Sequence, residues 1–269
     1  MQIVSNCIFK KRRWCGPAFC IPYRMPEGPS IVILKEQVQA LAGKKILAVA
    51  GNTKLDISPL AGQKVLAFRS WGKHFLIVLP KITIRIHFLL FGSYSINEQT
   101  KPHPRLHLHF KTGDLFFYAC SIKLLEGEIE TLYDWSGDVM NDDWSPAKAR
   151  KKLKAMPEEM AADALLDQDI FAGVGNIIKN EVLFRIRVHP ESRIGALPPR
   201  KLTALINEAR NYSYDFLQWK KAFVLRKHWL AHAKSECPRD HIPFVKVKHL
   251  GKRKRRAFFC TKCQKLYIL

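Results

Sequence analysis

Asp169-Ile170-Phe171-Ala172-Gly173-Val174-Gly175-Asn176-Ile177-Ile178 carries the most specific local signal in the chain. Its glycines let the backbone turn tightly and approach another molecule closely. A helix then opens and runs through Glu181, Phe184 and Arg187 to His189-Pro190. Asn176 stands at the N-terminus of that helix, where free N–H groups and the macrodipole favour a phosphate. Without its neighbours, the same stretch also reads as an ordinary helix hairpin with a glycine turn. Helical signals extend around it from Ser145-Pro146 to about Lys234, with breaks at Gly173-Val174-Gly175 and at 189–199. A helical domain is therefore expected over 144–235.

Before this unit the pattern is different. Ile31, Leu34, Val38 and Leu41 recur at spacings of three and four, and Gly43 follows, which predicts a short amphipathic helix with a glycine stop. Short β-rich runs come next, at 46–49, 65–68, 75–79, 82–88, 106–110 and 115–119. Turn formers such as Gly51-Asn52, Ser70-Trp71-Gly72-Lys73 and Thr112-Gly113-Asp114 separate them. The spacing predicts an antiparallel sandwich or barrel over 25–143, with the acidic, aromatic block 133–143 as its exit. Residues 1–24 hold Lys10, Lys11, Arg12, Arg13 and Arg24 and no acidic residue. They lack the apolar run of a secretory signal. They are expected to lie upstream of the true start, and a basic arm is the alternative.

After the helical unit, 236–269 reads as a compact β-hairpin, with 242–249 and 254–259 alternating around Leu250-Gly251-Lys252. Cys260-Thr261-Lys262-Cys263 is half of a tetrahedral zinc site. The other half is irregular: Cys237-Pro238-Arg239-Asp240-His241 has no second cysteine. The expected ligands are Cys237, Cys260, Cys263 and a fourth, either His241 or, less usually, Asp240. A short basic hairpin has little core of its own, which favours a metal staple. Reduced cysteines with no metal are the alternative. The run from Lys248 to Arg256, rich in lysine and arginine, is sized for DNA backbone or groove contact.

Composition narrows the partner. The 269 residues hold 45 Lys+Arg against 23 Asp+Glu, a net charge of +22 spread along the chain. Such an excess attracts polyanions, chiefly nucleic acid, through counterion release. No stretch approaches the ~18–20 uninterrupted apolar residues of a membrane span. The seven cysteines, odd in number, with three near each end and Cys120 alone between, are not a secreted disulfide framework.

Met25-Pro26-Glu27-Gly28-Pro29 has a chemical reading that depends on where the chain starts. Inside a chain the proline nitrogen is an amide with its lone pair delocalised. After initiation at Met25 and loss of the methionine, Pro26 would expose a secondary amine beside the Glu27 carboxylate. As a bare pentapeptide it is a turn or a helix start. Lys73, in Trp71-Gly72-Lys73-His74, would project from a tight turn between apolar strands.

Taken in order, these elements resemble the formamidopyrimidine-DNA glycosylase/endonuclease VIII family, and more closely its bacterial endonuclease VIII-like members. The resemblance covers 25–269. It rests on Met25–Pro29, Gly72-Lys73, His87-Phe88-Leu89-Leu90-Phe91-Gly92-Ser93, Gly173 through Ile177 on to His189-Pro190, and Arg255 through Gln264. It implies an α+β fold: an N-terminal β-sandwich with an N-terminal helix, a helix-two-turn-helix domain, and a C-terminal zinc-finger-like β-hairpin. It also implies a bifunctional DNA glycosylase/AP lyase of base-excision repair, a monomer working in the cytoplasm on double-stranded DNA that contains damaged bases or abasic sites. Pro26 would be the nucleophile and Glu27 the general acid/base. Lys73, Asn176 and Arg255 would hold phosphates, Leu90 would be a wedge, and one structural zinc ion would sit in the hairpin. The family's zinc finger has four cysteines, and here one is replaced, so a metal-free hairpin is a second expectation. A non-catalytic damaged-DNA-binding protein on the same scaffold is the alternative function. An RNA-binding zinc protein suits the charge but leaves Pro26-Glu27 unexplained.

Overall fold

The computed structural model describes residues 26–268. The reading of 1–24 lies outside them. Strands and helices alternate in blocks rather than one by one, so the architecture is α+β. The first helix, α1 (Gly28–Gln37), has proline in its first turn, where a missing N–H is harmless. It is buried from Gly28 through Leu34 rather than on one stripe. Ile31, Leu34 and Val38 enter the sheet core. Val32 and Ile33 instead pack against Leu217 of the last long helix. The amphipathic helix expected from the spacing is therefore clamped on two sides, and a 3-10 turn (Gln39–Leu41) follows it before Gly43, whose φ is +79.

The N-terminal block is one six-stranded antiparallel sheet. Its strands are β1 (Ile46–Ala50), β2 (Ala67–Trp71), β3 (His74–Val78), β4 (Ile82–Ile96), β5 (Leu106–Phe110) and β6 (Gly113–Glu126), in the order β1-β5-β6-β4-β3-β2. β4 and β6 are more than twice as long as their neighbours. Ile46, Leu106 and Phe110 from one wing share a buried cluster with Phe68, Phe75 and Ile77 from the other, so the long central strands carry the sheet around a single core. The β4–β6 ladder breaks once. Phe88 pairs with Cys120 and Ser93 with Tyr118, so Leu89 to Gly92 bulge out opposite Ala119 alone. A side chain on Gly92 would meet the Phe88 Cβ at 2.7 Å and the Ala119 carbonyl at 2.9 Å, so the bulge closes only around glycine.

The helical block holds α2 (Ile129–Leu132), α3 (Pro146–Lys154), α4 (Ala161–Leu165), α5 (Asn176–Arg185) and α6 (Pro199–Lys221). The Ser145 side chain accepts from the Lys148 amide and caps α3, with Pro146 at the first helical position. α5 is buried from Asn176 through Phe184, so it is the central helix of the block. The terminal hairpin pairs β7 (Val245–Leu250) with β8 (Arg255–Phe259). Leu250, Ala257 and Phe259 enter the cluster of the helices, while Cys237, Phe244 and Cys260 at its base form a small cluster with Phe184 of α5. Its tip is tied down by the buried Asp163 carboxylate, which accepts the amides of Lys252 (2.9 Å) and Arg253 (3.1 Å). Among the described residues no helix is long and apolar enough to cross a membrane.

Candidate active site and cysteine cluster

Three backbone segments far apart in sequence meet at glycines. The Gly28 amide donates to the Gly173 carbonyl at 2.9 Å. A Cβ on Gly28 would lie 2.8 Å from the Gly173 Cα, and one on Gly72 would lie 2.9 Å from the Gly173 nitrogen. Gly72 and Gly173 have φ of +53 and +99, a region that glycine enters at little cost. Asp138 fastens the junction. Its Oδ2 accepts the Gly72 amide at 3.0 Å and its Oδ1 the Met140 amide at 2.9 Å. Burial pushes the Asp138 carboxyl up to about 6 against the pull of those amides. Nothing in the sequence separated Asp138 from the other acids of its block, because its role depends on a turn 66 residues away.

This junction sets Glu27 against the N-terminus of α5. Glu27 is 1 % exposed. Its Oε1 accepts the Ile177 amide at 2.7 Å and its Oε2 the Ile178 amide at 3.2 Å. Gly175 makes the room: a Cβ there would stand 2.4 Å from the Glu27 Cδ. The stretch read as a phosphate cradle therefore gives two of its helix-end amides to a carboxylate of the protein itself. Burial raises the Glu27 pKa, opposed by the charge of Lys73 and by the amides of Ile177, Ile178 and Gly175. Burial likewise lowers Lys73 to about 8, with Glu27 pulling it up and Arg255 and Arg253 pushing it down.

Three of the expected residues share a cavity beside it, and two do not. Lys73 from the β2–β3 turn, Asn176 from the start of α5 and Arg255 from β8 line one cavity, joined by Arg253, Trp71 and His87. Arg253 sits in a run of basic residues, any of which could face inward by sequence alone. Asn176 is buried, and its Oδ1 has no hydrogen-bond partner, so that oxygen is not committed to the fold. Pro26 opens on a different cavity, bounded by α1, Phe88 and Gly92. Leu90 does not line either. It lies on the β4 bulge at 49 % exposed, beside Leu89 at 55 % and Phe91 at 63 %.

At the far end of the hairpin, Cys237, Asp240, Cys260 and Cys263 place their donor atoms within 4.8 Å of one another. The three cysteines are free thiols. Asp240 Oδ2 lies 3.5 Å from the Cys237 Sγ and 3.2 Å from the Cys260 Sγ. Three sulfurs and one carboxylate so close together make a four-donor set that could hold a metal ion, and the sulfur-rich chemistry suits zinc. The fourth position is Asp240, not His241. The His241 amide closes a turn onto the Cys237 carbonyl at 2.9 Å, and its ring faces Glu236 at 3.3 Å. A spacing of three returns a side chain to the cysteine across the turn, and a spacing of four carries it past. The rule that would place a second cysteine at 240 thus locates the carboxylate.

Comparison with known proteins agrees with this geometry. The formamidopyrimidine-DNA glycosylase N-terminal domain matches residues 25–121, and the formamidopyrimidine-DNA glycosylase H2TH domain matches 137–215. Endonuclease 8-like 3 of Xenopus laevis is 30% identical over 243 residues, covering 86% of this chain and 39% of that protein. The chain thus spans well under half the length of that relative. Formamidopyrimidine-DNA glycosylase of Carboxydothermus hydrogenoformans is 27% identical over 267 residues, covering 90% of this chain and all of that one. The Lactococcus lactis formamidopyrimidine-DNA glycosylase, solved with abasic-site DNA, superposes with a TM-score of 0.78 at 19% identity, covering 89% of this chain and 99% of that one. A viral DNA glycosylase superposes at 0.77 with 21% identity, covering 89% of this chain and all of that one. With both domains matched in order and relatives in bacteria and vertebrates, the chain belongs to the formamidopyrimidine-DNA glycosylase/endonuclease VIII family.

Proposed function

We propose that the protein is a base-excision-repair DNA glycosylase with AP lyase activity, acting on oxidised bases in duplex DNA through Pro26 as N-terminal nucleophile. The observation that carries this reading is the Glu27 carboxylate, buried beside Pro26 and held by the Ile177 and Ile178 amides. With initiation at Met25 and loss of that methionine, this carboxylate would stand beside a free secondary α-amine on Pro26. That amine has a pKa roughly two units below lysine, so more of it is unprotonated at neutral pH.

The Pro26 nitrogen attacks C1′ of the extruded nucleotide, and the electron pair of the glycosidic bond leaves with the base. Glu27 supplies the proton as the C1′–O4′ bond opens, which leaves an iminium between Pro26 and the sugar. The raised Glu27 pKa suits a group that must hold a proton before giving it up. Loss of a C2′ proton then expels the 3′ phosphate by β-elimination, δ-elimination releases the 5′ phosphate, and water frees the enzyme. Lys73, Asn176, Arg253 and Arg255 grip the phosphates around the extruded nucleotide. Leu89, Leu90 and Phe91 supply the apolar wedge that fills the gap in the stack. Zinc bound by Cys237, Asp240, Cys260 and Cys263 would crosslink the hairpin that carries Arg255.

The test is borohydride trapping on an abasic-site duplex, with a chain begun at Met25 and its methionine removal verified by mass. A covalent protein–DNA complex is expected, and Pro26 should be the modified residue. Binding to the abasic duplex without any trapped complex or strand cleavage would instead establish a non-catalytic damaged-DNA-binding protein.

A further inference from the structure

Two cavities flank the Pro26–Glu27 corner, and their chemistries differ. The one holding Lys73, Arg253 and Arg255 is cationic and suits phosphate. The one that Pro26 lines is walled by Ile31, Ile33 and Phe88, and no acidic side chain borders it among the described residues. A base is one bond from the C1′ that Pro26 attacks, so it must occupy space that Pro26 borders. Apolar walls accept its faces.

The polar groups of this cavity are held in pairs. The Ser30 hydroxyl is bonded to the Lys220 ammonium, and the Ser93 hydroxyl accepts from Lys101 at 2.9 Å. Gln37 and Tyr94 form a third pair: the Tyr94 hydroxyl donates to the Gln37 Oε1 at 2.7 Å. Tyr94 is well anchored. It is half-buried on β4 two residues past the bulge, stands in register with Phe117, and packs its ring 6.0 Å from that of Phe88. A side-chain amide has an oxygen that accepts and a nitrogen that donates twice. Tyr94 takes the oxygen, and the Gln37 amide nitrogen has no hydrogen-bond partner among the described residues.

Gln37 also stands at a suitable depth. It ends α1, and at about 1.5 Å per residue it lies roughly 14 Å beyond Gly28 along the helix axis. Side chains on a helix lean back toward its start, which brings the amide nearer Pro26 by the length of a glutamine side chain. The gap that remains is comparable to the span from an attacking nitrogen across C1′ to the far edge of a base.

Resting on the reaction proposed above, we propose that Gln37, oriented by Tyr94, is the specificity-determining residue that reads the extruded base, donating an amide N–H to a carbonyl oxygen on its edge. Tyr94 is a positioning residue, which holds the amide oxygen so that the nitrogen meets the base. An edge that shows only amino groups would set donor against donor.

The experiment compares two duplexes of one sequence, one carrying an oxidised base with ring carbonyls and one carrying a ready-made abasic site. Gln37 is exposed, so a substitution there leaves the core intact. For Q37L, the ratio of base release to abasic-strand cleavage is expected to fall by about threefold to tenfold, the range of one neutral hydrogen bond. Y94F should lower the ratio in the wild-type background and change nothing further in the Q37L background. An unchanged ratio in Q37L, or an equal loss on both duplexes, overturns the assignment of Gln37 while leaving the reaction intact. A Y94F loss that persists undiminished in the Q37L background overturns the orienting role of Tyr94. A wild-type chain that neither releases base nor forms a trapped complex overturns the reaction itself, and this reading with it. The unmutated protein gives an independent answer with a base analogue lacking the edge carbonyl. Release slowed by a similar factor supports the assignment, and undiminished release overturns it.

Discussion

At the scale of single residues, the site depends on carboxylates whose partners are backbone amides. Gly175 leaves no room for a side chain, because a Cβ would stand 2.4 Å from the Glu27 Cδ. Its φ of -121 suits any residue, so G175A meets no backbone strain and acts only by displacing Glu27. Trapping by G175A is expected to slow by about 10²-fold or more, the usual worth of a placed acid/base, with the circular dichroism spectrum unchanged. A normal rate would mean that Glu27 need not sit on α5. Asp138 makes a prediction about pH. Burial raises its pKa from 3.8 to about 6. Between those values the folded protein binds more protons than the unfolded one, so stability is greatest below the unfolded pKa and is lost as pH rises through 6. The loss is at most roughly 3 kcal/mol. D138N cannot titrate, so its melting temperature should be flatter between about pH 4 and 6 than that of the wild type. Melting curves with the same slope in both proteins would show that Asp138 is not the group responsible.

At the scale of elements, the β4 bulge and the terminal hairpin bring unlike chemistries to the same corner. Four residues of β4 stand opposite the single Ala119, and three of them are large, apolar and exposed. The three stand together as an exposed apolar patch, the kind of surface that suits contact with another molecule. If it fills the space left by an extruded base, L90A combined with F91A should reduce base release from fully paired duplexes by about tenfold. The same lesion placed opposite a gap, already unstacked, should be affected far less. Equal slowing on both substrates would assign the bulge another task. The hairpin works through its anchorage: Asp163 holds its tip and the helical core holds its inner face, so Arg253 and Arg255 are presented on a fixed support.

At the scale of the whole molecule, one hairpin links the cavity lined by Lys73, Asn176 and Arg255 to the cysteine cluster. Cys260 directly follows β8, the strand that carries Arg255. A metal there would restrain both. One zinc per chain is expected by mass spectrometry of the native protein. D240A should lower metal content, the melting temperature and DNA affinity together, whereas H241A should leave metal content unchanged. Loss of metal in H241A but not in D240A would reverse the assignment of the fourth ligand.

Much of this was legible in the chain. The order of motifs, the change from period-two strands to helical spacing near Ser145, the Cys-x-x-Cys pair and the positions of Lys73, Asn176 and Arg255 were all visible. Each is a local pattern, and a local pattern records local physics: backbone permissiveness, side-chain alternation, ligand spacing. What the sequence could not show was contact across distance. It did not show that α1 is buried on two faces, because the second face is made by α6. It did not show that the amides of Ile177 and Ile178 serve Glu27, or that Asp138 holds the Lys73 turn, because those partners lie 150 and 66 residues away. Nor did it separate Lys220 from Lys221. Adjacent residues on a helix point about 100° apart, and only the packing of α6 against α1 determines which ammonium reaches the buried Ser30 hydroxyl and which meets Glu36 in solvent.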